Sequence, residues 1–205
     1  MPKGFSAREK EWIKEKLMTR GRELFCAYGV KKTSISDLTH AAGIAQGTFY
    51  SFYSTKEELF FDILEQEEDE VKRAFLEAPV ASGNNPKHAI SELLIQTFNR
   101  IEDNPIFKRL FADDEMENLM RKLPDHKLEA HLRKDNDMLL PVIEKWKRDG
   151  VFLSVDSNIV AGVLRSLFLL ATQRKQIGAA YHATVSFLIE AVVEQLLVPK
   201  SDSHE

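Results

Sequence analysis

The sequence predicts an all-α fold, an N-terminal three-helix domain of helix-turn-helix type followed by a larger helical domain. Three observations carry this. Apolar residues recur at spacings of three and four with no sustained alternation of period two, so helices rather than strands bury the hydrophobic surface. The stretches "TSISDL" and "STKEEL" place Ser34 three residues before Asp37 and Thr55 three before Glu58, the spacing of a capping box. Glycines and prolines separate the periodic segments at intervals that suit helices. At 205 residues and 43% hydrophobic content, the chain can bury the core of one large or two small domains.

The first helix is expected from about Ala7 to Tyr28, with Trp12 or Ile13, Leu17, Leu24, Phe25 and Tyr28 along one apolar stripe and Gly29 as its C-cap. The second starts at Ser34 and stops at Gly43. A short third covers about Gln46 to Phe52. The fourth runs from Thr55 through Leu59, Ile63 and Phe75 to about Ala78, which sets the domains at 1–54 and 55–205 with helix 55–78 connecting them. "APVASGNNPK" reads as a linker, since its prolines, glycine and asparagines disfavour helix. Further helices are expected at about 87–102, 106–122, 126–148, 157–175 and 179–197, with a kink near Pro141, which removes a backbone hydrogen bond. The tail "PKSDSHE" is expected to fray.

Helices two and three, joined by a tight turn at Gly43 and Ile44, have the dimensions of a helix-turn-helix supported by the first helix. Ile35, Leu38, Ala42, Ile44 and Phe49 would fill its small core. Gln46, Gly47, Thr48, Tyr50 and Ser51 then lie on the other side of the third helix, where a recognition helix faces the major groove. Gly47 costs helix stability, which suits close approach of a phosphate or base edge. Tyr50 offers a hydroxyl, and Lys56 a cation beside a helix N-terminus. Charge distribution agrees. The first 60 residues carry ten Lys/Arg against seven Asp/Glu, while the whole chain has a net charge of −4.

The segment "TSISDLTHAAGIAQGTFYSFYSTKEEL" resembles the DNA-binding domain of the TetR family of transcriptional regulators, with Gly43, Gly47, Tyr50 and Lys56 at the family's offsets. The resemblance covers roughly Ala7 to Leu64. It implies that Thr33, Thr48, Tyr50 and Lys56 contact phosphates and that Gln46, Gly47 and Ser51 lie nearest the bases. Thr39 stands where alanine is usual, Ala45 where a serine cap is common, Phe52 where many members carry a polar ring, and Tyr53 where phenylalanine usually packs inward. The resemblance further implies a homodimer on double-stranded palindromic operator DNA, a small-molecule effector, and release of a repressor when the effector moves helix four.

The C-terminal sequence supports a ligand-binding and dimerisation domain independently. "NIVAGVLRSLFLLATQ" and "YHATVSFLIEAVVEQLL" are the most apolar helical stretches, and Ala161, Gly162, Ala183 and Ser186 allow close approach of a partner subunit. Phe98, Phe107, Phe111, Met138, Trp146 and Phe168, with Met116, Met120 and Phe152, supply aromatic and sulfur surface suited to an apolar effector.

Other chemistries find little support. One cysteine, Cys26, excludes an intrachain disulfide and a cysteine-based zinc cluster. His126 and His131 are five apart and so diverge on a helix, which leaves no metal expected; the acidic "DDEMEN" reads as a solvated face. No phosphate loop, nucleophile elbow or paired carboxylate offers a catalytic residue, so neither an enzyme nor a cofactor is expected. The N-terminus is too charged for a signal peptide and the longest apolar run too short to span a bilayer, so a soluble cytoplasmic chain is expected. An effector-independent structural nucleoid protein and an all-helical enzyme using the central cavity are the alternatives.

Overall fold

The computed structural model describes residues 5–78, 86–112, 115–150 and 155–197. They form α1 (Ala7–Lys32), α2 (Ile35–Ala42), α3 (Gln46–Phe49), α4 (Lys56–Leu76), α5 (Pro86–Asp103), α6 (Pro105–Leu110), α7 (Glu115–Lys122), α8 (Asp125–Arg148), α9 (Ser157–Leu170), α10 (Arg174–Ile177) and α11 (Tyr181–Leu196), with no strand among the described residues. The chain divides into two compact units, Met1–Glu70 with Asp103–Asp125, and Val71–Glu102 with His126–Glu205. The first therefore takes in α6 and α7, which a boundary at 54/55 assigns to the C-terminal domain. The linker expected at 78–87 lies largely outside the described residues.

In the first unit α1 begins with a complete capping box, Ser6 and Glu9 each closing the other's backbone N–H. Ile13, Leu17 and Phe25 are buried at helical spacing, and Phe25 meets Phe60 of α4 edge-on, ring centroids 5.4 Å apart. Of the expected alternatives Trp12 and Ile13 it is Ile13 that faces inward, and one member of the stripe, Tyr28, faces outward. Trp12 is exposed, with the Lys16 ammonium 4.0 Å over its ring, and Tyr28 is 60% exposed. Directly after it Gly29 adopts φ 78° and ψ 167°, which breaks the helix before Val30–Lys32. Gly21 allows α4 close, because a Cβ there would sit 3.1 Å from both Leu59 Cδ2 and Ile63 Cδ1. One helix expected over 106–122 is two. Asn104 caps α6 at Ile106 N–H, Pro105 occupies its first turn, and Phe111 ends it.

The second unit is built on Phe75, Ile90, Leu94, Phe98, Ile143, Trp146, Val160, Leu167, Tyr181, Val185, Ile189 and Val193, all buried. Phe75 and Trp146 pack edge-on at 5.6 Å. Pro141 does not end α8, which runs through it. The helix expected over 157–175 stops at Leu170, passes through a 3₁₀ turn into α10, and is terminated by Gly178 at φ 73°. The stretch Arg174–Leu196 is long and apolar enough by composition to cross a membrane. Its continuous part, α11, has 16 residues, about 24 Å of helix against a hydrocarbon core of about 30 Å.

Candidate nucleic-acid interface

The interface is assembled from α2, α3 and the turns on either side of them. At the start of α2, Ser34 N–H donates to Asp37 Oδ2 at 2.9 Å and Asp37 N–H to Ser34 Oγ at 3.1 Å. The Ser34 hydroxyl donates to the same carboxylate, and these bonds hold Asp37 below the usual carboxylate range. Gly43 ends the helix in the left-handed region, its N–H returned to the carbonyls of Thr39 and His40. α3 then starts at Ala45 without a side-chain cap. So short a helix draws its stability from packing. Phe49 is fully buried and Tyr53 nearly so, their rings 5.9 Å apart, and turn hydrogen bonds from Ser51, Phe52 and Tyr53 carry the chain on to α4. The Tyr53 hydroxyl donates to Met18 Sδ at 3.5 Å, and burial pushes its phenol above the ordinary value.

With that side held inward, Gln46, Gly47, Tyr50 and Ser51 are exposed together and Thr48 is half-buried beside them. Tyr50 is 55% exposed and its ring stands at 88° to Phe49. Gly47 has nothing within 4 Å of where a Cβ would lie, so another molecule can approach its backbone directly. Thr33 and Lys56 sit differently. Thr33 is 2% exposed, and its hydroxyl donates to the Gly29 carbonyl at 2.8 Å. The half-buried Lys56 donates from Nζ to the carbonyls of Thr33 at 2.8 Å and Lys31 at 3.2 Å. At α4 the Thr55 hydroxyl accepts from Glu58 N–H, while the Glu58 carboxylate accepts from Ser54 N–H.

Sequence reasoning missed Arg109 of α6. Its guanidinium donates from Nε and Nη2 to the Cys26 carbonyl, at 2.9 and 2.8 Å, and from Nη2 to that of Ala27 at 2.8 Å. The signal available was Gly29, since a break there leaves carbonyls that some donor must reach. Cys26 is half-buried beside this contact, and desolvation raises its thiol pKa.

The residues expected to line an effector site divide between the units. Phe98 and Trp146 are buried and Met138 and Phe168 half-buried in the second. Phe107 is fully buried in the first and stacks on Phe111 at 6.1 Å. Phe152 lies outside the described residues. Of the four expected at a subunit interface, Ala161 is 1% exposed and already covered by its own chain, Gly162 and Ser186 are half-buried, and Ala183 is exposed. His131 lies 3.7 Å from Asp135, whose carboxylate also accepts from Lys72 at 2.5 Å.

Residues 17–63, which span most of α1 through the first half of α4, match the family described as bacterial regulatory proteins, tetR family. The chain is 23% identical over 92% of its length to the HTH-type transcriptional repressor KstR2 of Rhodococcus jostii (strain RHA1), covering 89% of that protein. A TetR-family transcriptional regulator from Pectobacterium atrosepticum shares the fold with a TM-score of 0.69 at 18% identity, over 96% of this chain and 100% of that one. RolR in complex with the ligand resorcinol does so with a TM-score of 0.61 at 20% identity, over 95% and 92%. The matched segment is the one whose turn, buried Phe49 and outward Tyr50 have just been described, and over residues 17–63 the chain carries a segment of the tetR-family type.

Proposed function

We propose that the protein is a ligand-responsive repressor that binds a palindromic operator as a homodimer and leaves it when a small, predominantly apolar effector binds. The observation that carries this is the two-sided α3, with Phe49 buried against its own bundle while Gln46, Gly47, Tyr50 and Ser51 are exposed together. In this reading Gln46, Gly47 and Ser51 meet base edges, and Tyr50 and Thr48 meet phosphates. Release is a population shift, which requires the effector to bind the DNA-incompetent state more tightly. The aromatic and sulfur side chains of Phe98, Met138, Trp146 and Phe168 in the second unit suit such a ligand. RolR, with resorcinol bound, is a fold neighbour whose ligand is small and aromatic.

The test begins with selection of duplexes from a random-sequence library by the purified chain. A palindrome with half-sites about one helical turn apart, near 34–36 Å, is expected. Tyr50→Phe should weaken binding about equally on every sequence, and Gln46→Ala should change which sequence is selected. Effectors are sought by displacement of that duplex with a panel of small aromatic and alicyclic compounds, resorcinol among them. A chain that selects no sequence, or a Gln46→Ala variant with an unchanged preference, would remove the assignment of α3 as the reading helix.

A further inference from the structure

α9 carries a charge that its apolar composition does not call for. Arg165 is the only charged residue among the 14 of Ser157–Leu170, and it follows the buried Ala161 by one helical turn. The side chain is half-buried within the second unit. Its Nη2 donates to Asn136 Oδ1 of α8 at 2.5 Å, while Nε is buried and has no hydrogen-bond partner. No carboxylate among the described residues pairs with the guanidinium. The acids on either side of Asn136 are placed elsewhere. Asp135 is buried, accepts from Lys72 at 2.5 Å and lies 3.7 Å from His131, and Asp137 is exposed. An amide oxygen occupies one of the five guanidinium donors and neutralises none of the charge. A cation placed in this way on an apolar helix costs free energy until an anion meets it.

We propose that Arg165 is a carboxylate anchor, and that the effector is a predominantly apolar acid whose carboxylate pairs with its Nε. This rests on the ligand-responsive reading and adds to it the charge and chemical class of the ligand. Nε together with a neighbouring Nη is an edge by which a guanidinium grips a carboxylate through two parallel bonds. A single carboxylate matches the charge at hand, because the Lys72 ammonium is already paired with Asp135 and brings no second cation for a phosphate. The rest of the ligand is apolar for the same reason that Arg165 stands out, since the side chains around it on α9 are apolar.

The test titrates the full chain with hexanoic, decanoic, benzoic, phenylacetic and cyclohexanecarboxylic acids, each beside its primary amide, by calorimetry. At least one acid should bind about tenfold or more tightly than its amide, the scale of a charge-assisted hydrogen bond, and should release the selected duplex. Arg165→Met keeps the aliphatic stem and removes the charge. It should lose the preference for acid over amide, keep its affinity for the duplex, and melt no lower than wild type, because an unpaired half-buried cation is gone. Acids that bind no better than their amides, or a preference that Arg165→Met retains, overturn the proposal. Should the methionine variant fail to fold, NMR of the Arg165 Nε–H group in the wild-type chain decides. A downfield shift with the acid and not with the amide supports the anchor, and no shift with either overturns it. A resonance already at the downfield position of a carboxylate-bonded Nε–H in the acid-free chain shows that a carboxylate of a second copy holds the place, which also overturns it. A neutral compound that releases the duplex from wild type and Arg165→Met alike removes the anchor and leaves the ligand-responsive reading intact. If no acid, amide or neutral compound releases the duplex, both fail.

Discussion

At the residue scale, the groups that govern the interface are those with unusual local chemistry. Gly29 has φ 78° and ψ 167°, a region essentially confined to glycine, although a Cβ there would meet nothing within 4 Å. Gly29→Ala therefore carries backbone strain without a clash, at a cost of about 1–3 kcal/mol. A lowered Tm with an otherwise native circular dichroism spectrum is the expected outcome; an unchanged or raised Tm would mean that α1 straightens without penalty. Asp37 gives a pH dependence of defined sign. Its folded pKa is depressed by bonds to Ser34, so its contribution to stability is fully present above the unfolded value of about 3.9 and is lost as pH falls through the folded value. A carboxylate titration followed by NMR should place the Asp37 midpoint below that of a free aspartate, and Asp37→Asn should flatten the acid limb of the stability profile. A midpoint at the ordinary value would show that the capping box does not persist in solution.

Elements are linked in the first unit by polar ties as well as by the apolar core. The Glu67 carboxylate of α4 accepts from Arg22 of α1 and from Asn104, the residue that caps α6. Lys122 of α7 reaches Glu57 of α4 at 2.7 Å. Glu67→Leu would leave the half-buried Asn104 amide and Arg22 without their acceptor, at a cost of about 1–3 kcal/mol. Faster hydrogen exchange at Ile106–Leu110 is expected, and equal protection in variant and wild type would show that burial of Ile106 and Phe107 holds α6 unaided. This is also where the sequence stops being legible. Ser34, Asp37 and Gly43 announce α2 because caps and left-handed turns are chemistry within a few residues, and the outward placement of Tyr50 follows from helical spacing once Phe49 is inside. Arg109 and Cys26 are 83 residues apart, and no local signal pairs them. The hydrogen bonds of Thr33 to the Gly29 carbonyl and of Lys56 to the carbonyls of Lys31 and Thr33 were equally illegible, because they depend on where α1 breaks. Tyr28 and Ala161 show the limit of periodicity, since the first is exposed on the expected stripe and intrachain packing covers the second.

At the scale of the whole molecule, the unsolved surface is that of α9 and α11. Val185, Ile189 and Val193 bury one stripe of α11 within the second unit, yet Phe187 on the other side is 71% exposed, and Ile159 and Leu169 of α9 are 58% and 51% exposed. Ala183 precedes Phe187 by one helical turn and leaves room beside it. A second copy is the occupant that the proposed palindromic operator calls for, and a twofold interface would bury Phe187 of both copies. Burial of a phenylalanine contributes about 1.5–3 kcal/mol, and an aspartate in its place would be an unpaired carboxylate at the contact. Phe187→Asp should therefore be a folded monomer by light scattering. Because each half-site is then bound separately, its affinity for the selected palindrome should fall by about a hundredfold or more, while affinity for an isolated half-site is kept. Phe187→Met, which preserves apolar contact, should remain dimeric and bind as wild type does. A Phe187→Asp chain that keeps both the dimer mass and the full operator affinity would move the interface off α11, and Ile159 and Leu169 of α9 would be the next positions to charge.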